Sequence, residues 1–232
     1  GLALVNVYDG QVLQYGTWRD AQVRDYLVRE HHDPVERTKR DRLRPDLVQV
    51  LKAHRMLAFE TGTYGYRRAS TLFFRRADGR LTKALGSGQD GCGLTVQRYD
   101  DDPGLLRFDS YWEGEGRGER PLRLGAGDHL EDELPFVLFG SAQGRSSSLR
   151  GWRGPPPTFS VRRSDRTDAP GVVVSLVDAA GGDAATYVYD ADGMLASWRV
   201  EGAEAFERRA SRRFAYWEKT STQDGPSIGL GR

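Results

Sequence analysis

The stretch Phe59–Arg76, FETGTYGYRRASTLFFRR, carries the densest strand pattern in the sequence. Every second residue from Tyr64 to Phe74 belongs to a face led by aromatic residues, whereas the intervening positions are smaller and more polar. Gly62 and Gly65 have no side chain to pack, so they predict a bend or bulge near the start of this strand. We therefore expect a bent, half-buried strand at the centre of the fold.

Further strand patterns lie on both sides of this stretch. Thr17–Asp20 separates the first two, and Asp78-Gly79 predicts a two-residue hairpin because a type I′ turn needs positive φ at both central positions. Leu47–Met56 is apolar at mixed spacing and fits a strand or a helix. The other predicted strands are Leu2–Tyr15, Gln22–His31, Leu81–Leu85, Leu94–Tyr99, Leu105–Trp112, Phe159–Arg163, Val172–Val177, Thr186–Tyr189, Leu195–Val200 and Phe206–Tyr216.

One helix start is predicted between these strands. Asp128 is followed three residues later by Glu131, an arrangement in which the glutamate reaches back to a free backbone N–H. A loop rich in Gly, Ser, Arg and Pro follows over 141–157, and the polar segment 220–232 is expected to be a disordered tail. The sequence thus predicts one β-rich domain over 1–219. Its expected fold is an antiparallel meander that forms a curved sheet or half-barrel with one or two short helices.

Composition excludes several function classes. Lys and Arg total 34 against 33 for Asp and Glu, so the net charge of +1 provides no field for nucleic acid. No apolar run approaches the roughly 18 residues of a membrane span. A single cysteine cannot form an intramolecular disulfide, so it does not indicate a redox compartment. No cofactor is expected.

Three groups of residues are candidates for chemistry. His31 and His32 are metal-capable, but neighbours on a strand point to opposite faces, and they could share an ion only if the strand ends or bulges there. Glu113 and Glu115 would be about 7 Å apart on one strand face, a spacing compatible with glycoside hydrolysis. Cys92 lies between two glycines and could act as a nucleophile if His54 or His129 approached it. The alternatives are a polar strand end, a flexible glycine-rich turn and a small buried side chain.

Aromatic residues offer a fourth candidate site. A curved sheet could expose some of them in a groove for an apolar or sugar-like ligand, although core packing is the competing explanation. The aromatic residues concerned are Tyr64, Tyr66, Tyr111, Trp112, Tyr187, Tyr189 and Trp198.

Ordered short motifs over the first half of the chain are shared with a known bacterial family. They are Tyr15-Gly16, Val28-Arg29-Glu30, Thr38-Lys39-Arg40-Asp41, Val50-Leu51-Lys52, Phe59–Tyr66, Ser70-Thr71, Cys92-Gly93 and Ser110–Glu115. On these residues the chain resembles secreted or lipid-anchored proteins that carry the label septum formation inhibitor Maf. Glu30 and Lys39, which lie in two of these motifs, join the candidate ligand-binding residues. The chain departs from the family at Gly91 and Leu94, where the family has tryptophan and histidine.

The resemblance implies export to the periplasm or outer surface, with any lipid anchor upstream of Gly1. It implies no reaction. The nucleotide pyrophosphatases of the same name open with a Ser-x-Ser-Pro-Arg-Arg segment that the first 14 residues lack, so that activity is rejected.

Three functions remain open at this point. The first is an exported, envelope-associated, non-catalytic β protein that binds an apolar ligand, a glycan or another envelope component. The second is an envelope hydrolase that uses Cys92 or the Glu113 and Glu115 pair. The third is a structural partner in an envelope assembly.

Overall fold

The computed structural model describes residues 2–111, 116–125, 127–140, 146–150 and 158–214, with the backbone alone for 146–150 and 214. Within these residues one sheet contains fifteen strands. They are β1 (Ala3–Gln14), β2 (Thr17–His32), β3 (Val48–Glu60), β4 (Gly65–Arg75), β5 (Leu81–Gln89), β6 (Leu94–Asp100), β7 (Leu105–Asp109), β8 (Arg117–Pro121), β9 (Asp128–Leu130), β10 (Ser146–Arg150), β11 (Thr158–Asp165), β12 (Gly171–Val177), β13 (Asp183–Asp190), β14 (Leu195–Val200) and β15 (Glu204–Phe214).

The strands follow one another as a meander with a single break. The chain runs outward from β1 to β8, resumes at the opposite edge with β9, and returns to pair β15 with β1. Neighbouring strands are antiparallel except β9 and β10, which are parallel. The sheet is therefore curved but not closed, and the predicted antiparallel, barrel-like class is confirmed.

The central stretch forms a hairpin, so the prediction of one bent strand is wrong. Phe59 ends β3, Gly62 adopts a φ of 90° in the turn, and β4 begins at Gly65. Phe59 and Tyr66 are cross-strand partners whose rings stack at 4.8 Å. The alternation itself is confirmed within β4, because Tyr66 and the even positions from Ser70 to Phe74 are buried.

The first hairpin turns earlier than predicted. Tyr15 and Gly16 form the two-residue turn, with φ angles of 54° and 71°. Residues Thr17–Asp20, predicted as the turn, open β2 and pair with the end of β1. Leu47–Met56, which fitted a strand or a helix, lies mostly in β3. A hairpin at Asp78-Gly79 and the five strands from β11 to β15 are confirmed. The two-residue type I′ turn is wrong, because β4 ends at Arg75 and β5 begins at Leu81, and of the two residues only Gly79 has a positive φ.

A short helical segment crosses the inside of the curve. Glu131–Glu133 and Leu138–Gly140 are 3-10 turns, and α1 spans Leu134–Val137. The predicted helix start at Asp128 is wrong, because Asp128 lies in β9 and the carboxylate that reaches back belongs to Glu133. Its Oε1 accepts the Leu130 N–H at 2.7 Å.

Leucines on this segment join the core. Leu134 and Leu138 pack with the inner faces of β1–β4 and β11–β15, whereas Leu130 packs with β3–β7. The Tyr189 hydroxyl donates to the Leu134 carbonyl at 3.2 Å and so ties β13 to the segment.

The predicted loop over 141–157 and the predicted tail over 220–232 lie largely outside the residues that the structure describes. The loop predicted over 141–157 includes β10, and its other residues lie outside the described residues, as does the predicted tail. Within the described residues, no helix is long and apolar enough to cross a membrane.

Candidate functional site

A cavity of about 720 Å³ lies on the inner face of the curved sheet. Its walls come from β1–β6, from the helical segment at Glu131–Pro135 and from the β14–β15 hairpin. The cavity therefore collects side chains from both ends of the chain. Those that carry the following argument are Tyr66, Arg68, Ser70, Gln97, Tyr111 and Glu131.

Tyrosines gather at one end of the cavity. The Tyr66 hydroxyl lies 2.7 Å from that of Tyr15, and the Tyr64 ring lies 5.5 Å from the Tyr66 ring. Tyr111 donates its hydroxyl to Asp90 Oδ2 at 2.5 Å. We call Tyr15, Tyr64, Tyr66 and Tyr111 the tyrosine rim.

The Gly91-Cys92-Gly93 segment fits against this rim because the glycines have no side chains. A Cβ atom on Gly91 would lie 2.6 Å from Tyr64 Cγ, and one on Gly93 would lie 2.6 Å from Tyr111 Cγ. Asp90 Oδ1 accepts the Cys92 and Gly93 backbone N–H groups at 2.7 and 3.1 Å. Cys92 is exposed at this position, with its Sγ 3.6 Å from the Tyr64 hydroxyl.

A buried ion pair forms another part of the cavity wall. Arg55 lines the cavity and donates to both carboxylate oxygens of Asp25 at 2.7 Å. Its guanidinium lies 4.6 Å from the Trp198 ring centroid. Burial alone would lower the pKa of Arg55, but Asp25 raises it, so this guanidinium stays charged and committed to its partner.

Carboxylates form a further part of the cavity lining. Glu131 and Asp132 come from the first helical turn, and Glu204 opens β15. Glu204 Oε1 accepts the Trp198 indole N–H at 2.7 Å. Burial raises the pKa of Glu131, and Asp132 and Glu204 raise it further, whereas Arg68 opposes them.

The neutral side chains of Ser70 and Gln97 line the cavity with unused hydrogen-bonding capacity. Ser70 is only 7% exposed, yet its hydroxyl has no hydrogen-bond partner among the described residues. The Gln97 amide also lines the cavity without a side-chain partner in the described part of the chain. Buried polar groups are normally satisfied, so Ser70 is positioned to bond something in the cavity. Gln97 is half-buried and adds a second donor and acceptor there.

A second groove, of about 890 Å³, lies on the outer face. Adjacent residues on a strand point to opposite faces, so Thr71 faces this groove while Ser70 faces the cavity. Two of its guanidiniums are already paired, Arg98 with Asp100 and Arg107 with Glu119. The inner cavity is the stronger candidate because it contains Ser70, which is 7% exposed and has no hydrogen-bond partner for its hydroxyl among the described residues.

The predicted ligand-binding residues separate into two groups. Tyr64, Tyr66 and Tyr111 meet at the rim beside Cys92. Trp112, predicted with them, lies outside the described residues, as do Glu113 and Glu115.

Glu30 and Lys39 lie elsewhere. Glu30 lines neither the cavity nor the outer groove, and its carboxylate bonds His32 at 2.9 Å and Lys52 at 2.6 Å. Lys39 lies in the loop after β2 and forms an ion pair with Asp41 at 3.0 Å.

The candidate metal ligands and catalytic histidines are likewise dispersed. His32 pairs with Glu30, while His31 follows the opposite strand face. Among the residues that the structure describes, no three His, Cys, Asp or Glu side chains are grouped so as to hold a metal ion. His54 hydrogen-bonds Thr71, and His129 lies 3.7 Å from Glu133, so each of these histidines has a partner other than Cys92.

Sequence reasoning missed most of the charged cavity residues. Arg68 and Ser70 share the Tyr66 face of β4, so extending the alternation to polar residues would have found them. Glu131 and Glu204 are distant in sequence and meet only through the fold, and no local pattern indicates them. Of the aromatic candidates, Tyr187 and Trp198 do line the cavity.

No protein-family model and no curated protein sequence matches the chain. In architecture the chain is a curved, barrel-like β protein. It is similar to the crystal structure of a β-barrel-like protein of the domain of unknown function DUF1849 from Brucella abortus, with a TM-score of 0.54 and 7% identity over 92% of this chain and 98% of that chain. At this identity the likeness concerns the fold alone.

Proposed function

We propose that this chain is a non-catalytic binding protein that holds a hydroxyl-bearing ligand, a short glycan, in the cavity behind the tyrosine rim. The observation that carries the proposal is Ser70, a residue that is only 7% exposed, lines the cavity and has no hydrogen-bond partner for its hydroxyl in the described part of the chain. A ligand hydroxyl supplies that partner.

The polar lining favours a glycan over a wholly apolar ligand. A purely apolar occupant would cover the Ser70 hydroxyl and the Gln97 amide without giving them hydrogen bonds, which costs about 1–3 kcal/mol for each group. Hydroxyl groups satisfy such side chains, while the rings of Tyr66 and Tyr111 offer apolar surface for the faces of a sugar. A volume of about 720 Å³ lies within the usual range for small-molecule sites.

Export to the periplasm or outer surface belongs to the same proposal. It rests on the resemblance of the first half of the chain to secreted and lipid-anchored proteins, and an envelope location would bring the cavity close to glycans.

The test is native mass spectrometry and calorimetric titration with short oligosaccharides, including neutral and amino-sugar trimers. We expect at least one to bind, and Ser70→Ala to weaken it by about 3- to 30-fold because one buried hydrogen bond is lost. Ser164→Ala, which removes an exposed hydroxyl on β11, is the matched control and should leave affinity unchanged.

Two results would contradict the proposal. One is that no saccharide of the panel binds, and the other is that Ser70→Ala binds as well as the unmodified protein. Hydrolysis of a bound saccharide that stops in Cys92→Ser would instead favour the hydrolase hypothesis.

A further inference from the structure

The charged side chains that line the cavity do not balance. Among the described residues, four are carboxylates, from Asp90, Glu131, Asp132 and Glu204, and two are guanidiniums, from Arg55 and Arg68. Arg55 is already committed to Asp25 through two hydrogen bonds. The cavity therefore has an excess of negative charge within low-dielectric walls, which concentrates cations.

Glu131 is the carboxylate in this set that is open to a ligand. Asp90 accepts the Tyr111 hydroxyl, and Glu204 accepts the Trp198 N–H. Glu131 has neither a hydrogen bond nor an ion pair with any residue that the structure describes, although it lines the cavity. Its like-charged neighbours Asp132 and Glu204 disfavour an isolated anion at this position.

The other walls suit the same kind of ligand. Aromatic rings attract cations through their faces, and Tyr66 and Tyr111 line the cavity. Ser70 provides an independent sign of a missing partner, since this residue is 7% exposed, lines the cavity and makes no side-chain hydrogen bond to the described residues. A ligand with both hydroxyl and ammonium groups would satisfy Ser70 and Glu131 together.

We infer that the ligand is an amino sugar with a free, protonated amine, and that Glu131 is the counter-ion of that amine. This inference rests on the proposed glycan-binding function and specifies its ligand class. Arg68 weakens the binding of such a ligand, because its guanidinium also faces the cavity and repels an ammonium group.

The experiment compares two trimers of equal length, one of glucosamine and one of N-acetylglucosamine, near pH 6, where the free amines are protonated. Calorimetric titration should give about tenfold tighter binding of the glucosamine trimer. The isosteric Glu131→Gln variant should lose that preference. Glu60→Gln, whose carboxylate pairs with Arg67 away from the cavity, is the control and should keep it.

A second variant is expected to increase affinity, so misfolding cannot explain its effect. Arg68→Gln should bind the glucosamine trimer more tightly than the unmodified protein, a gain that a damaged fold cannot mimic. Arg67→Gln, on the other face of β4, should not change affinity.

Each outcome separates this inference from the proposed function. Equal binding of the two trimers, or tighter binding of the acetylated one, overturns the inference and leaves the glycan site standing. A preference that persists in Glu131→Gln overturns the assignment of the counter-ion. Binding of neither trimer while another saccharide of the panel binds overturns the inference alone, and failure of the whole panel overturns both.

Discussion

Glu30 and His32 are two residues apart on β2 and therefore point to the same face. Lys52 faces them from β3, and its Nζ lies 2.6 Å from Glu30 Oε1. The His32 ring lies 5.3 Å from the ring of Phe73, which helps to bury the pair. These contacts explain why Glu30 and His32, which the sequence suggested for a ligand and a metal, are engaged with each other.

This network predicts a specific acid dependence of stability. Burial raises the pKa of Glu30, but hydrogen bonds from His32 and Lys52 outweigh it and lower the pKa from 4.5 to about 2. Because the folded pKa is lowered, the stabilisation is present above pH 4.5 and is lost as the pH falls toward about 2. We expect at most about 3 kcal/mol from this group.

Urea unfolding of Glu30→Gln between neutral pH and about pH 2 checks the prediction. The variant should be less stable at neutral pH and should lose less stability on acidification than the unmodified protein. Glu119→Gln, which removes a half-exposed pair with Arg107, should cost under about 1 kcal/mol. Parallel acid profiles for Glu30→Gln and the unmodified protein would show that Glu30 is not the group responsible.

The alternation of apolar and polar residues predicted most of the strands. The turns could not be predicted in the same way, because their positions depend on how the strands pair. The Tyr15-Gly16 turn needs positive φ at a tyrosine, which is disfavoured locally and is adopted because the paired strands β1 and β2 enforce it. The helical segment begins after Leu130 rather than at Asp128, because Asp128 pairs with β10. The glutamate that accepts the free backbone N–H is therefore Glu133, which bonds Leu130.

The helical segment supports a prediction at the level of the element. Leu134 is 1% exposed and packs against the inner faces of the sheet, so Leu134→Ala leaves a cavity there. We expect a loss of about 2–5 kcal/mol in the free energy of unfolding, measured by urea denaturation. Leu43→Ala changes an exposed leucine and should cost little. Equal stabilities of the two variants would mean that the segment does not contribute to the core.

The cavity exists only at the scale of the whole molecule. Val12 and Leu57 reach it from the first strands, and Glu204 reaches it from the last. The pairing of β1 with β15 brings these distant segments together. For this reason the tyrosine part of the site, which arises from neighbouring hairpins, could be predicted from the sequence, whereas the acidic wall could not.

The pairing of β1 with β15, here called the seam, can be tested for its contribution to the stability of the whole sheet. A Cβ atom on Gly10 would lie 2.1 Å from the Ala205 carbonyl oxygen and 2.6 Å from Phe206 Cδ1. Gly10→Ala should therefore cost about 1–3 kcal/mol, since backbone at the seam must shift. Gly88→Ala, where the new methyl meets open space, is the control. Because Phe206 stacks on Trp198 at 4.7 Å, circular dichroism and tryptophan fluorescence should report one shared, earlier urea transition. Separate transitions, or equal stability of the two variants, would mean that strands β1–β8 and strands β9–β15 fold independently of this seam.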